Sequence, residues 1–568
     1  MRKLSAVLLA CLVITPALFG QGGKAYGIFA PEDAYIDSSG FPYYGSENEW
    51  SRRMFTEERG NTQYKRRGQR QMLAVIEGRP DSAIAYCKKR LKQNPEDPES
   101  YYMMSVAFSA MSNKDSSYIY MLKAIEGGIP YSRFLAGPRT YLKSLYDSEE
   151  FVNYHVANPV ELVHGPMVGA VTDHSAEFWL RTFNEDDVLI KVFEKEDPAI
   201  HFSGTNSTDK GKDYTTVIEI DGLNPNTTYN YDVVIEGRSE FGDTYPSFST
   251  YPAKGTPGVY NIAFGGGAGF TPDHEYIWSN INTHDLDALL LLGDNVYIDM
   301  PGMPNEFHNF TYYRRQSSPG FRSLINSTPV YAIWDDHDAA MDDVWMGPYV
   351  DKPEWKYPNF LVFKNNWVDP YYGTENWPGC YFDFSIGDID FFMLDCRSYR
   401  TCPFDTTYRT MLGPYQKQWL KNKLALSEAT VKVLVSSVPW SFRAKPGSHD
   451  TWGGFPEERE EIFEYIEELK IDGVILMAAD RHRSDAWRIE RANGYDLYEF
   501  QSSRLTNMHT HELMPGSIIA YNEKCSFGHL SFDTISEKPK ITFTIINIDN
   551  VEIDSVTVYL EDITYANR

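Results

Sequence analysis

Ala288-Leu289-Leu290-Leu291-Leu292-Gly293-Asp294-Asn295-Val296-Tyr297 is an apolar run that stops abruptly on Gly-Asp. Consecutive apolar residues cannot alternate between core and solvent. The run therefore reads as a strand covered on both faces, as in a parallel sheet flanked by helices. The pattern recurs down the chain. Residues 259–264 end in Gly265-Gly266-Gly267, residues 329–334 in Asp335-Asp336-His337-Asp338, and residues 391–394 in Asp395-Cys396-Arg397. Residues 431–435 stop at Ser436-Ser437, and residues 473–478 run into Ala479-Asp480-Arg481-His482. In open α/β sheets ligands bind outside the carboxyl ends of the strands, so three of these strands should deliver carboxylates and imidazoles to one rim. Carboxylates gathered there repel one another unless cations lie between them. A mixture of O and N donors suits Fe, Mn, Zn or Ca rather than a soft thiolate site. Two metals bridged by one carboxylate clamp a phosphate and lower the pKa of a bound water towards 7. The pattern is that of a two-metal hydrolase. Singly, each piece has a plainer reading, such as a turn for Gly-Asp or a helix cap for Asp-Asp-His-Asp; their shared order at strand ends is what carries the argument.

Working outward, the chain has 568 residues and a net charge of −26, with 23% charged and 42% hydrophobic residues. This is globular material of roughly three or four domains at ~100–200 residues each. The acidic balance excludes a general nucleic-acid binder, which needs a basic face to displace counterions. The aromatic fraction of 15% favours a β-rich or mixed fold over a helical bundle. Met1-Arg2-Lys3, the apolar run 4–19 and Gly20-Gln21 form a signal-peptide pattern (residues 1–20), too short to span a bilayer. The expectation is an exported protein: periplasmic, outer-membrane-associated or extracellular. Leu8-Leu9-Ala10-Cys11 also fits a lipobox, but the apolar run continues past Cys11, where a lipobox cysteine ends it. Removing the signal leaves Cys87, Cys380, Cys396, Cys402 and Cys525 with no C-x-x-C pair, which excludes a zinc knuckle. Cys396 with Cys402, or Cys380 with either, are the pairings export would permit, and buried thiols without a bridge read equally well.

Residues 21–70 form an extension without clear period. In 71–155, Leu73, Ile76, Ile84, Leu91, Met104, Ala107, Met121, Leu122 and Ile125 recur at helical spacing. Gly78-Arg79-Pro80-Asp81-Ser82 and Ser112-Asn113-Lys114-Asp115-Ser116 lie 34 residues apart, a tetratricopeptide-like period. This module offers a surface for a protein partner; a generic helical packing collar reads equally well. Residues 158–255 turn to period 2, and Leu223-x-Pro225-x-Thr227-x-Tyr229 is a strand entry of the fibronectin type III-like sandwich, in which the tyrosine ties a corner to the backbone. Residues 258–565 hold the acidic strand ends.

Gly293-Asp294-x-x-Tyr297, Trp334-Asp335-Asp336-His337-Asp338, Leu394-Asp395-Cys396-Arg397-Ser398-Tyr399-Arg400, Leu412-Gly413-x-x-Gln416-x-x-Trp419-Leu420 and Asp480-Arg481-His482 together resemble the PhoD-like alkaline phosphatases of the calcineurin-like metallophosphoesterase superfamily. Ser502-Ser503-Arg504-Leu505-Thr506 and Ser526-Phe527-Gly528 fit the same family. The resemblance covers about residues 160–560; the helical module lies outside it. It implies a multidomain chain: an α/β metallophosphoesterase sandwich preceded by the fibronectin type III-like β-sandwich and the α-helical module. It implies a phosphate-ester hydrolase with Fe(III) and Ca2+. Asp294 would bridge the metals, Tyr297 and His482 would bind the iron-like ion, and Asp336 and Asp480 the calcium-like one. His337 would stabilise charge on the phosphoryl group or protonate the leaving group, and Arg397 or Arg481 would contact phosphate oxygens.

One departure matters. After the first core strand the family has a cysteine that ligates iron; here Gly267 stands there. That leaves Zn or Mn open as the first metal, with water, backbone or another side chain completing its shell. It also motivates a rival of a different class, a catalytically degenerate binding module that recruits envelope partners through its helices. A Ser-based triad is disfavoured, since Ser436-Ser437 lacks the G-x-S-x-G elbow. No later stretch is apolar enough for a transmembrane span.

Overall fold

The computed structural model describes residues 68–405 and 408–565, and the backbone of two short paired strands, Ala34–Ile36 and Pro42–Tyr44. The signal segment 1–20 and most of the extension 21–70 lie outside the described residues.

Two large sheets form the body. One has the strand order Glu552–Tyr559, Lys540–Asn547, Ser526–Asp533, Val259–Gly265, Ala288–Leu292, Val330–Ile333, Leu162–Gly169, Ser175–Thr182 and Thr215–Asp221. The other runs Phe382–Ile386, Ile389–Met393, Val431–Val435, Val474–Ala478, Leu497–Ser502, Ser484–Ile489 and Ile519–Tyr521. The site-bearing strands are buried throughout and pair in parallel, Ala288–Leu292 lying between Val259–Gly265 and Val330–Ile333. Their apolar runs have no polar alternation because both faces are covered. Leu290 and Leu292 point into the core between the two sheets, while Leu289 and Leu291 point into a second core under the outer helices. Across the inter-sheet core the Phe500 and Phe543 rings stand 5.1 Å apart, and Tyr331 stacks on Phe384 at 3.7 Å. Helices Ile277–Ile281, Pro319–Ile325 and Lys356–Lys364 cover one outer face; Gly413–Leu426 and Pro456–Glu468 contribute to the inter-sheet cluster from the other sheet's far side.

The β-rich segment before the core differs from an independent unit. Its strands Leu162–Gly169, Ser175–Thr182 and Thr215–Asp221 extend the nine-stranded sheet, joined where Gly169 pairs with Val330. Left alone, Val330–Ile333 would be an open parallel edge, and Leu162–Gly169 closes it. A second layer, Ser247–Ser249, Thr228–Ile235, Asp187–Glu194 and His201–Ser207, packs on these strands. Within it the Tyr229 hydroxyl accepts from Asn224 N–H at 2.8 Å and so ties the corner.

Helices Gln69–Ile76, Pro80–Leu91, Pro98–Ala110, Lys114–Glu126, Tyr131–Ala136, Arg139–Tyr146 and Glu149–Ala157 precede the strands. Proline opens the second and third, where its missing N–H costs nothing. Their core is shared with Met300, Phe307, Phe310 and Tyr313 of the chain that follows the Asp294 loop. No bridge joins Cys396 to Cys380 or Cys402, which corrects the pairing the sequence left open. Cys396 instead lies 3.3 Å from Ser436 Oγ in the core. Among the described residues, no helix is long and apolar enough to cross a membrane.

Candidate active site

The rim is assembled from strand ends. After Leu292 the chain turns through Gly293, whose φ of +102° and neighbour Asp335, 2.5 Å from where a Cβ would stand, admit only glycine. Asp294 follows in a left-handed conformation, φ 54°. After Ile333, Asp335 caps the short helix Asp336–Ala339 in a reciprocal box with Asp338. Asp338 also accepts from the Asn295 and Val296 backbone N–H groups, each at 3.0 Å, and so fastens the first acidic loop to the second. The sequence did not single out Asp338; only the fold shows that its carboxylate binds a loop over forty residues away.

Asp294, Asp336 and His337 present ligand atoms within 4.8 Å of one another. Asp294 Oδ2 accepts from the Tyr297 hydroxyl at 2.8 Å and lies 3.7 Å from His482 Nε2. Tyr297 Oη accepts in turn from Asn507 Nδ2 at 2.7 Å. The other oxygen, Asp294 Oδ1, is buried and accepts no hydrogen bond. Burial pushes Asp294 well above the ordinary carboxylate range; His337 opposes this, and Asp336, Asp335 and Asp338 add to it. A carboxylate so placed is expensive to ionise unless a cation faces it.

His337 is 5% exposed. Its Nδ1 pairs with Asp299, and its Nε2 stands 3.4 Å from Asp342 Oδ1. Burial alone would favour the neutral ring, but Asp299, Asp336 and Asp294 outweigh it and hold the imidazole well above its usual pKa. A third of these elements carries Asp480 and His482, both in left-handed backbone conformations after the strand Val474–Ala478. Asp480 falls outside the groups close enough to share an ion: its Oδ2 lies 3.9 Å from Lys445 Nζ and 3.6 Å from Arg481 Nη1 and accepts no hydrogen bond. A further acidic group, Asp336 with Asp342 and Asp343, lies beside it, with Lys445 3.9 Å from Asp343.

Arg397 is placed behind the rim, not on it. It is 0% exposed, donates from Nε to Asp335 Oδ1 at 2.5 Å and from Nη1 and Nη2 to Asp450 at 2.6 and 3.2 Å. Ser437 Oγ donates to the same Asp335 oxygen at 2.8 Å. The expected phosphate contact by Arg397 is therefore corrected: its donors go to the Asp335 and Asp450 carboxylates and, from Nη1 at 3.2 Å, to the Val344 carbonyl oxygen. Arg481, by contrast, has an Nε that makes no hydrogen bond.

Gly267 lies against His482. A Cβ built on it would stand 3.7 Å from His482 Cδ2 and 3.1 Å from the Ser503 carbonyl oxygen, at a φ of +66°. The orphaned Asp294 Oδ1, together with the O and N donors around it, fits hard or borderline cations.

Residues 262–544 match the family model described as PhoD-like phosphatase, and residues 159–252 match a domain of unknown function (DUF7800). Alkaline phosphatase D of Bacillus subtilis (strain 168) is 26% identical over 333 residues, which are 50% of this chain and 55% of that protein, so the chain spans about half the length of this relative. Among solved structures, one titled Structure of PhoD superposes with a TM-score of 0.55 at 17% identity, covering 69% of this chain and 92% of its own. The purple acid phosphatase PPD1 from yellow lupin (Lupinus luteus) seeds superposes with a TM-score of 0.53 at 14% identity, covering 70% and 75%. At these identities the two structures speak to the fold alone.

Proposed function

Residues 262–544 belong to the PhoD-like phosphatase family, and from that premise we propose that the chain is an exported, metal-dependent phosphoesterase with a two-metal site. The observation that carries the reading is the buried, unbonded Asp294 Oδ1 among Asp336, His337 and His482. Asp294, Tyr297 and His482 would hold the first ion and Asp336, with Asp294 shared, the second; Asp480 would reach that second ion by turning from Lys445 and Arg481. When bound, such ions neutralise phosphoryl oxygens and lower the pKa of a water. The protein's own groups do the rest. Asp299 fixes His337 through Nδ1 and so aims Nε2 at a phosphoryl or leaving-group oxygen. Arg481 takes the phosphate contact. Arg397 is a positioning residue that holds Asp335, and through it the loop carrying Asp336 and His337.

Export rests on the pattern of residues 1–20. The two-layered strands of 159–252 read as a fibronectin type III-like sandwich with a structural role, and the helices before them as tetratricopeptide-like, supported by helix starts at Pro80 and Lys114 in the 34-residue register. The net charge of −26 disfavours polyanionic substrates and points to small phosphate esters. The test is hydrolysis of an aryl phosphate. Asp294→Ala and Asp480→Ala should abolish it while circular dichroism and melting temperature show a folded chain. Wild-type rates in such folded variants would refute the site. About two metals per chain would separate this reading from the degenerate binding module, which would hold none.

A further inference from the structure

The chain after the strand Leu497–Ser502 runs back across the site and is held there by hydrogen bonds. Leu505 N–H donates to Gly266 O at 3.1 Å and Thr506 N–H to Gly267 O at 3.3 Å. Asn507 Nδ2 donates to Tyr297 Oη at 2.7 Å, and its Oδ1 accepts from His509 N–H at 3.1 Å. Thr510 Oγ1 donates to His482 O at 3.0 Å, and Asn522 Nδ2 to His511 O at 2.9 Å. The loop is thus fastened to Gly267, to Tyr297 and to His482 at once.

It carries two of the chain's 13 histidines to a third. The ring centroids of His482 and His509 are 5.2 Å apart, those of His482 and His511 5.7 Å, and those of His509 and His511 4.6 Å. Each ring offers a nitrogen within 4.8 Å of the others'. Three imidazole nitrogens at such spacing form a donor set for a borderline first-row cation, with Zn2+ the commonest fit. His482 also reaches to 3.7 Å from Asp294, so this triad adjoins the acidic cluster.

We propose that His509 and His511 are metal-binding residues that join His482 on the first ion and supply the donors that Gly267, having no side chain, does not. This rests on the phosphoesterase reading only for the presence of a first ion near Asp294. A nitrogen-rich shell makes Zn2+ or another borderline divalent ion the preferred occupant over a hard trivalent one. His509 is exposed and His511 half-buried, so both can be replaced without opening the core.

The experiment strips the full chain with chelator and titrates it with Zn2+ by calorimetry and with Co2+ by visible absorption, which reports nitrogen ligation directly. Wild type, His509→Ala/His511→Ala, His482→Ala and Asp336→Asn are compared. The expected result is that the double variant loses on the order of 10–100-fold or more in Zn2+ affinity, the size of a disturbed metal shell, and loses the Co2+ d–d bands. Asp336→Asn should keep the Co2+ bands of the nitrogen-ligated ion and weaken only the second ion. His509→Gln/His511→Gln with an unchanged near-ultraviolet spectrum guards against a folding defect. If the double variant binds Zn2+ and Co2+ as wild type does while His482→Ala loses the ion, the proposal is overturned and the phosphoesterase site stands. If His482→Ala also binds as wild type does, the first-ion assignment falls with it.

Discussion

Arg397→Met should cost stability, not substrate affinity. The guanidinium is 0% exposed and satisfies Asp335 at 2.5 Å and Asp450 at 2.6 and 3.2 Å, with Asp336 Oδ2 a further 3.9 Å away. Methionine fills much of the volume, so the loss is electrostatic. Removing one partner of a buried ion pair costs about 3–5 kcal/mol. Two features pull towards the lower end. Arg400 still pairs with Asp450, and Lys445 stands 4.0 Å from it. Asp335 is pushed to about 7 by burial even with Arg397 pulling it down, so without the arginine it takes up a proton at neutral pH, which limits the cost. About 3 kcal/mol at roughly 2–4 °C per kcal/mol gives a fall in melting temperature of about 6–12 °C. The double variant Arg397→Met/Asp335→Asn should recover on the order of 1 kcal/mol, the size of coupling between contacting residues. Calorimetry on the four members of this cycle, with kcat and KM on an aryl phosphate, measures both quantities. An unchanged melting temperature with a raised KM would place Arg397 on the phosphate and refute the reasoning.

Asp338→Ala leaves the Asn295, Val296 and Asp335 N–H groups unsatisfied in a buried site; on the order of 3 kcal/mol is expected, read as a lower melting temperature, with activity falling because the Asp294 loop is unfastened. Asp287 lies at the opposite end of the strand Ala288–Leu292 from Asp294, and burial raises it to about 6, opposed by the Asn261 N–H it accepts. Its folded pKa exceeds the unfolded value near 3.9, so the folded state binds the proton more tightly, and this group's contribution to stability declines as pH rises from about 4 to about 6. Asp287→Asn should remove that slope, a relative gain of up to about 3 kcal/mol at neutral pH, visible as a flatter pH profile of melting temperature than wild type.

The strands that carry the site were legible because each is short, apolar and ends in an acid. The run 288–292 was read with the bounds it has, and 431–435 likewise. Burial on both faces erases the alternation that marks a surface strand, and that erasure is itself a signal. Asp294, Tyr297, Asp336, His337 and His482 lie two to five positions past the strands Ala288–Leu292, Val330–Ile333 and Val474–Ala478, in the loops that form the rim. Less legible were contacts set by topology. Nothing local to residues 162–169 says that Gly169 pairs with Val330 and merges two sheets. Arg397 also sits one turn past a strand, yet it points inward, because Asp335 and Asp450 wait for it there. His509 and His511 follow no strand end directly, and only the loop's bonds to Gly266, Gly267 and His482 O bring them to the His482 ring.

The N-terminal helices bear on the same site from behind. Gln69 Nε2 donates to the Tyr297 carbonyl oxygen, and Gly68 lies so near Phe310 that a Cβ there would stand 2.9 Å from its ring. Met300 and Phe307, which follow Tyr297 and Asp299 in the chain, are buried in the helical core and not in either sheet core. The backbone that presents Tyr297 to Asp294, and Asp299 to His337, is thus backed by helices from the other end of the chain. A module evolved only to recruit a partner would have no need to enclose this segment. The buried Arg133–Glu99 ion pair, with Arg133 4.2 Å from the Tyr102 ring, stiffens that wall. Partner binding, if the helices serve it, must use their outer face, because the inner one supports the loop on which the Tyr297–Asp294 contact depends.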